Sequence, residues 1–233
     1  MKAESRFDSK KAFVLTKHDV KKIWDLLEGA GLEVEATLEC ADGISRKTKS
    51  ITEVLEYDNV QRAEIKALRL SGYSSEISAF STITLGCVHS TSVTCSLNGH
   101  VDKVAEMRIK LMDIVDGMKP WYDLCARIDF GLLLMGFFMF WGMFFSFLGY
   151  GKPKAEVAPI QAFYSTAIAL GMLVALGVVG WGMTRLRRKY FPIAVFEIGH
   201  GLKRHDFAEK VRWGVVVAFV VGLAGAFAFK PFA

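Results

Sequence analysis

Three uncharged, strongly apolar runs dominate the second half of this 233-residue chain and constrain its fold more than any other feature. They cover residues 130–148, 162–184 and 213–229. A helix rises about 1.5 Å per residue, so each run has, or nearly has, the length needed to cross a hydrocarbon core of about 30 Å. The runs therefore predict an all-α membrane anchor of three transmembrane helices.

The first half of the chain lacks such a run and mixes acidic with basic residues along its length. Residues 32–38 alternate apolar and acidic side chains, which is typical of a half-buried strand. Three more segments, 63–70, 77–88 and 92–97, are rich in the β-branched residues that strands favour. Together with two predicted helices, these strands indicate an α+β fold, an antiparallel sheet with helices on one face.

The predicted helices of this half also set a domain boundary. Thr16 is a candidate N-cap for the first helix, and residues 101–118 have the apolar spacing of an amphipathic helix. Pro120 then fits the first position of a new helix. The chain thus divides into a cytosolic α+β domain, residues 1–118, and a membrane anchor, residues 119–233.

A basic cluster orients the predicted anchor, because positively charged segments remain on the cytoplasmic side. The segment 185–212, which follows the second run, is expected at the cytoplasmic membrane interface with lipid headgroups as partners. The start of the chain lacks the apolar core of a signal peptide, so the inner membrane is the expected location, with the α+β domain in the cytoplasm. The orienting residues are Arg185, Arg187, Arg188 and Lys189, and the predicted interfacial aromatics are Trp121, Tyr122 and Trp213.

Small residues recur every fourth position in the third run and once in the second. Such spacing lets two helices approach closely, so it predicts helix packing and a homo-oligomer. Packing of the same ridge inside one subunit remains an alternative. The positions are Gly214, Ala218, Gly222 and Ala226 in the third run, and Gly171 and Ala175 in the second.

Residues that could bind a metal occur in two places, and neither matches a zinc pattern. The first group comprises Cys87, His89, Cys95 and His100. The strand register of its two cysteines indicates that they are buried structural thiols. The second comprises Glu197, His200, His205 and Glu209, whose i, i+3 and i, i+4 spacings place pairs on one helix face in a charged stretch. Known phosphate-loop, hydrolase and dinucleotide motifs are missing from the sequence. We therefore assign no catalytic residue, metal or cofactor.

Together these patterns predict a non-enzymatic integral membrane protein whose cytosolic domain binds a protein partner or small ligand. Nucleic acid is not expected, since the domain shows no basic face. One alternative is a membrane-tethered enzyme with an unrecognised site in the α+β domain, and another is a structural anchor that docks a protein at the membrane. In layout alone, the chain is similar to the small membrane effectors of bacterial antiphage systems, a likeness that assigns no site residue.

Overall fold

The computed structural model describes residues 1–74, 79–88, 91–148 and 159–229. The chain divides into two compact units. The first comprises Met1–Ala126 together with the described residues from Tyr190 onward, and the second comprises Arg127–Lys189. The strands are β1 (Lys2–Ser9), β2 (Phe13–Thr16), β3 (Glu33–Cys40), β4 (Ser45–Thr48), β5 (Ile65–Ser74), β6 (Ala79–Val88), β7 (Thr91–His100) and β8 (Ala194–Glu197). The helices are α1 (Lys17–Gly29), α2 (Ile51–Leu55), α3 (Val101–Gly117), α4 (Asp123–Arg127), α5 (Phe130–Leu148), α6 (Pro159–Tyr190) and α7 (His200–Phe229).

A six-stranded antiparallel sheet forms the centre of the first unit, with strand order β1-β7-β6-β5-β3-β4. Helices α1 and α3 pack against one face of this sheet. The alternation expected around residues 32–38 is present in β3, where Val34, Ala36 and Leu38 are buried. Leu68 of β5 lies opposite Leu85 of β6, and both contribute to the same core. The structure thus has the antiparallel sheet with helices that the strand patterns indicate.

Helix α1 begins at a capping box, which confirms Thr16 as the N-cap. The Asp19 amide donates to Thr16 Oγ1 at 3.2 Å, and the Thr16 amide donates to the Asp19 carboxylate at 3.2 Å. This reciprocal pair satisfies backbone donors that the first helical turn leaves free. One stripe of α1 then enters the core through Val20, Ile23 and Leu27. Because the cap fixes where the helix starts, it also fixes the position of Thr16 and Asp19 in the first unit.

The chain after residue 190 adds a second, smaller sheet to the first unit. Strand β8 pairs in parallel with β2, from Phe13 opposite Ala194 to Thr16 opposite Glu197. Phe196 and Ile198 are 5% and 0% exposed and belong to the main core. A segment that sequence analysis placed at a membrane interface is therefore part of the packed α+β unit.

Asn59 holds this added segment in place. Its Nδ2 donates to the carbonyl oxygens of Phe196 at 3.2 Å and Ile198 at 3.1 Å, and its Oδ1 accepts from the Ile65 amide at 2.9 Å. Asn59 is 1% exposed and has a positive φ of 47°, a conformation that asparagine tolerates better than most residues. One side chain thus joins the start of β5 to the β8 segment.

The predicted membrane anchor is wrong, because no helix among the described residues is both long and apolar enough to cross a membrane. Helix α5 has 19 residues and rises only about 28 Å, less than a hydrocarbon core of about 30 Å. Helix α6 ends in the basic residues Arg187, Arg188 and Lys189. The first turns of α7 are charged, and the helix contacts β8 in the first unit. Its apolar remainder, residues 213–229, is shorter than α5.

Several conclusions depended on that anchor and are corrected with it. The three transmembrane helices over 130–148, 162–184 and 213–229 are not supported, nor is the inner-membrane location derived from the positive-inside rule. The integral-membrane function, the membrane-effector analogy and the two membrane-tethered alternatives lose their basis for the same reason. The physical error was to equate the length of an apolar run with membrane insertion.

The second unit consists of α5 and most of α6, and the Arg187 guanidinium donates to the Ile128 carbonyl within it. Apolar side chains on α5 are largely exposed, with Met143 at 74% and Leu132 at 69%. On the described part of α7, Phe219 is 66% exposed and Val221 64%. Within the first unit, the described apolar side chains of α7 after Arg212 therefore lie outside the main core.

Candidate functional site

A cleft of about 270 Å³ lies in the first unit where three segments meet, and we call it the arginine cleft. The segments are the start of α1, the connection from α3 to α4, and the first half of α7. Each is held by the fold described above, through the α1 cap and the β2–β8 pairing. The lining residues are Val14, Thr16, Asp19, Gly117, Met118, Lys119, Pro120, Trp121, Tyr122, His205, Glu209 and Arg212.

Arg212 is the unusual residue of this cleft, because it is 1% exposed. It follows His205 and Glu209 at helical spacing, so the three share one face of α7. Its Nε donates to the Ala208 carbonyl at 3.2 Å, and its guanidinium carbon lies 4.1 Å from the centre of the Tyr122 ring. Within the described part of the chain, Nη1 has no hydrogen-bond partner. A buried cation with an unused donor is costly unless an acceptor meets it.

Tyr122 adds a second unused polar group beside the guanidinium. The residue is 1% exposed, and its Oη likewise finds no hydrogen-bond partner among the residues described. Burial raises the pKa of Tyr122, while the nearby Arg212 charge acts in the opposite direction. The ring meets Phe191 edge-on at 5.9 Å, and the neighbouring Asp123 accepts from the Ala12 amide at 2.7 Å. Tyr122 is thus positioned by packing on both sides, with its hydroxyl buried beside the Arg212 guanidinium.

Two ionisable side chains, His205 and Glu209, lie on the α7 wall of the cleft, and Glu197 of β8 lies next to them. His205 Nε2 lies 3.4 Å from Glu197 Oε1 and 3.8 Å from Glu209 Oε2. Burial raises the pKa of Glu197, and the carboxylates of Asp206, Glu209 and Asp19 raise it further. Burial lowers the pKa of His205, as does the Arg212 charge, whereas Glu209 and Asp206 oppose that shift. Both shifts favour the uncharged forms.

The α1 wall is acidic and already hydrogen-bonded. Thr16 Oγ1 donates to Asp19 Oδ2 at 2.7 Å, in addition to the backbone bonds of the cap. These bonds fix the position of the Asp19 carboxylate at the cleft. Lys119 Nζ lies 3.6 Å from Asp123 Oδ2, so this cation is already paired with an anion. The cleft thus combines the buried Arg212 guanidinium with two carboxylates, that of Glu209 on the same face of α7 and that of Asp19 on the α1 wall.

The structure brings together part of the predicted Glu/His group. His205 and Glu209 meet on one face of α7, as their spacing indicates, and β8 brings Glu197 to the same histidine. His200 lies apart: it is exposed at the start of α7, and its backbone amide donates to the Asp58 carbonyl at 2.7 Å. Of the four predicted residues, only Glu197, His205 and Glu209 therefore lie together.

The other predicted site residues lie in several different places. The Trp121 and Trp213 rings are 5.7 Å apart and about half exposed, whereas Tyr122 is buried. A Cβ added at Gly214, Gly222 or Gly171 would meet nothing within 4 Å, so these glycines have no tight neighbour to accommodate. Ala218 and Ala175 are exposed, and the Ala226 side chain lies outside the described residues. In the second unit, Arg185 lies over the Trp181 ring at 5.5 Å, near Arg188 and Lys189 in the α6 sequence. Helix packing through the small residues stays a prediction.

The cysteine and histidine candidates of the sheet show no metal geometry in the part that is described. Cys95 is fully buried, and burial raises the pKa of its thiol to about 12. His100 Nδ1 lies 3.4 Å from Asp102 Oδ2. His89 and the Cys87 side chain lie outside the described residues. Among the described side chains, no three His, Cys, Asp or Glu residues are arranged to bind a metal ion.

Sequence reasoning missed Arg212 as a residue of the cleft and Asn59 as the residue that holds the β8 segment in place. Arg212 looked like a flank of an apolar run, although its spacing from His205 and Glu209 would have placed it on their helix face. Asn59 carried no comparable signal, because its partners at positions 196 and 198 are remote in sequence. Comparisons of the chain with known protein families, curated proteins and solved structures give no match.

Proposed function

We propose that this protein binds a small zwitterionic ligand, of the size and chemistry of an amino acid, in the arginine cleft. One observation carries the proposal: the buried Arg212 guanidinium keeps an unused donor beside the unused Tyr122 hydroxyl. A carboxylate is the natural acceptor for both groups, because guanidinium and carboxylate match in charge and in planar geometry.

Two carboxylates in the lining of the cleft argue against a purely anionic ligand. Asp19 lies on the α1 wall and Glu209 on α7, and a second negative charge on the ligand would be repelled by both. An amino group placed near these carboxylates would instead gain favourable charge interactions. A ligand with a carboxylate at one end and an ammonium group at the other therefore suits the cleft better than either group alone.

The size of the cleft supports a small ligand. Its volume of about 270 Å³ lies just below the roughly 300–1,000 Å³ that is common for drug-sized ligands. Val14, Met118 and the Trp121 ring provide apolar contact along the same walls. A cleft with a few polar groups and an apolar lining is the usual form of a small-molecule site.

Thermal unfolding of the full chain with L-amino acids tests the proposal. Each amino acid is compared with its amine and its carboxylic acid analogue, at equal ionic strength. A ligand at a hundred times its dissociation constant stabilises the folded state by about 2.7 kcal/mol, which produces a measurable rise in Tm. We expect at least one zwitterion to raise Tm more than both of its analogues.

Substitutions then connect the effect to the cleft. Arg212→Gln and Tyr122→Phe should reduce the ligand-induced rise in Tm, because each removes a donor to the carboxylate. Lys203→Gln changes an exposed cation on the same helix and should leave the rise intact. A rise that is unchanged in Arg212→Gln, or the absence of any response to the zwitterions, would contradict the proposed function.

A further inference from the structure

Within the part of the chain that the structure describes, strand β1 is paired on one side only and leaves its other edge open along its whole length. It is the first strand of the six-stranded sheet and pairs only with β7 among the described residues, in continuous register from Lys2 opposite His100 to Ser9 opposite Val93. An unpaired strand edge offers a row of N–H and C=O groups to another strand. The edge is regular, since no bulge interrupts its pairing with β7.

The direction of the free hydrogen-bonding groups follows from one contact at the start of the strand. The Val101 amide donates to the Met1 carbonyl at 3.3 Å, so the Met1 carbonyl points toward β7. Bonding direction alternates along an antiparallel strand. The backbone groups of the even-numbered residues therefore point away from β7, toward the free edge. Those residues are Lys2, Glu4, Arg6 and Asp8.

The same four residues alternate in charge, and their side chains lie on the sheet face opposite the helices. An antiparallel pairing of two β1 strands about a two-fold axis at Ser5 places Lys2 opposite Asp8 and Glu4 opposite Arg6. All four cross-strand pairs are then of opposite charge, which is stabilising. About eight main-chain hydrogen bonds form between the two strands in this register.

Neighbouring registers lack this complementarity. A shift by two residues in one direction places Lys2 opposite Arg6 and Glu4 opposite itself. A shift in the other direction places Glu4 opposite Asp8 and Arg6 opposite itself. A shift by one residue places each even-numbered residue opposite an odd-numbered one, whose backbone groups point toward β7, so the hydrogen bonds between the two strands are lost. Charged edge strands commonly prevent sheet pairing, but here the sign pattern favours one register.

The helix-covered face offers a second contact across the same axis. The Arg108 guanidinium donates to Ser5 Oγ at 3.1 Å, which places this turn of α3 above the axis. Met112, one turn further along α3, is 41% exposed, and Ile109 is 62% exposed. Two copies of α3 related by the axis would present these apolar side chains to each other.

We infer that the protein forms a two-fold dimer in which two β1 strands pair across Ser5 and join the sheets of two copies into one. This inference is independent of the proposed ligand site, since no β1 residue lines the arginine cleft. The interface lies on the α+β unit and does not use the small residues of α7.

Sedimentation velocity of charge variants of the full chain tests the register. Glu4→Lys/Asp8→Lys makes the edge entirely cationic, and Lys2→Glu/Arg6→Glu makes it entirely anionic. Each should raise the dimer dissociation constant about tenfold or more, because all four pairs become repulsive. An equimolar mixture of the two should recover dimers, because every pair is then attractive. Glu4→Arg/Arg6→Glu is the matched control, since it exchanges the two charges and keeps the edge self-complementary.

A cysteine pair tests the axis without relying on affinity. Ser5 faces its own copy in a non-hydrogen-bonded pair with a Cα separation of about 4.5 Å, within the range for a disulfide. Ser5→Cys should therefore crosslink under mild oxidation. Ala3→Cys should not, because position 3 lies opposite Phe7 of the second copy. Crosslinking of Ser5→Cys that does not exceed that of Ala3→Cys, or a mixture of charge variants that stays monomeric, overturns the inference.

Discussion

Replacing Asn59 with alanine should strongly destabilise the protein, because this buried residue joins the β8 segment to the sheet. The substitution removes two bonds to the Phe196 and Ile198 carbonyls and one from the Ile65 amide. The net contribution of such bonds is about 1 kcal/mol each, and more where a buried group is left unpaired. Alanine at a φ of 47° costs about another 1–2 kcal/mol. The expected loss is therefore about 4–5 kcal/mol of unfolding free energy.

Urea unfolding of the full chain measures this loss, and hydrogen exchange locates it. We expect the amides of β2 and β8 to lose protection first, because Asn59 connects them to β5. Asn59→Gly separates the two contributions: it removes the same bonds but tolerates the positive φ, so it should be less destabilising than alanine. Asn98→Ala, at an exposed position of β7, is the control. A change below about 1 kcal/mol for Asn59→Ala would refute the reasoning.

Two further predictions concern buried ionisable groups. The folded-state pKa of Glu197 is raised above its usual value near 4.5. The unfolded chain therefore ionises this carboxyl more readily than the folded protein does, and the free energy of unfolding falls as pH rises above about 4.5. Glu197→Gln should therefore become more stable relative to the wild type between pH 4 and pH 7 in urea unfolding; a pH-independent difference would contradict this. Cys95 is fully buried and its pKa is raised to about 12, so its thiol should react with a disulfide reagent only at the rate of unfolding. Fast labelling of Cys95 in the folded protein would show that this region opens.

Local patterns predicted the sheet because its strands are half-buried. The alternation in residues 32–38 depends only on a two-residue period, and β3 buries Val34, Ala36 and Leu38 accordingly. The helix cap at Thr16 is equally local, since its partner Asp19 is three residues away. Such features require no knowledge of distant contacts.

Longer-range features could not be predicted in the same way. Strand β8 has four residues, and its partner β2 lies about 180 residues earlier, so no local period marks the pairing. The burial of Arg212 depends on Tyr122 and the β8 segment meeting α7 in three dimensions. The apolar runs were misinterpreted because composition alone does not separate helices that cross a membrane from those that do not.

The NMR signal of the Arg212 side chain tests the central claim most directly. Its Nε–H already donates to the Ala208 carbonyl, so it should give a protected signal in the folded protein. During titration with the amino acid that raises Tm most, we predict that this signal shifts in a saturable way and that the Tyr122 ring signals shift with the same dissociation constant. The matching amine should produce no such shift. Saturable binding of the amino acid that leaves the Arg212 and Tyr122 signals unchanged would contradict the account.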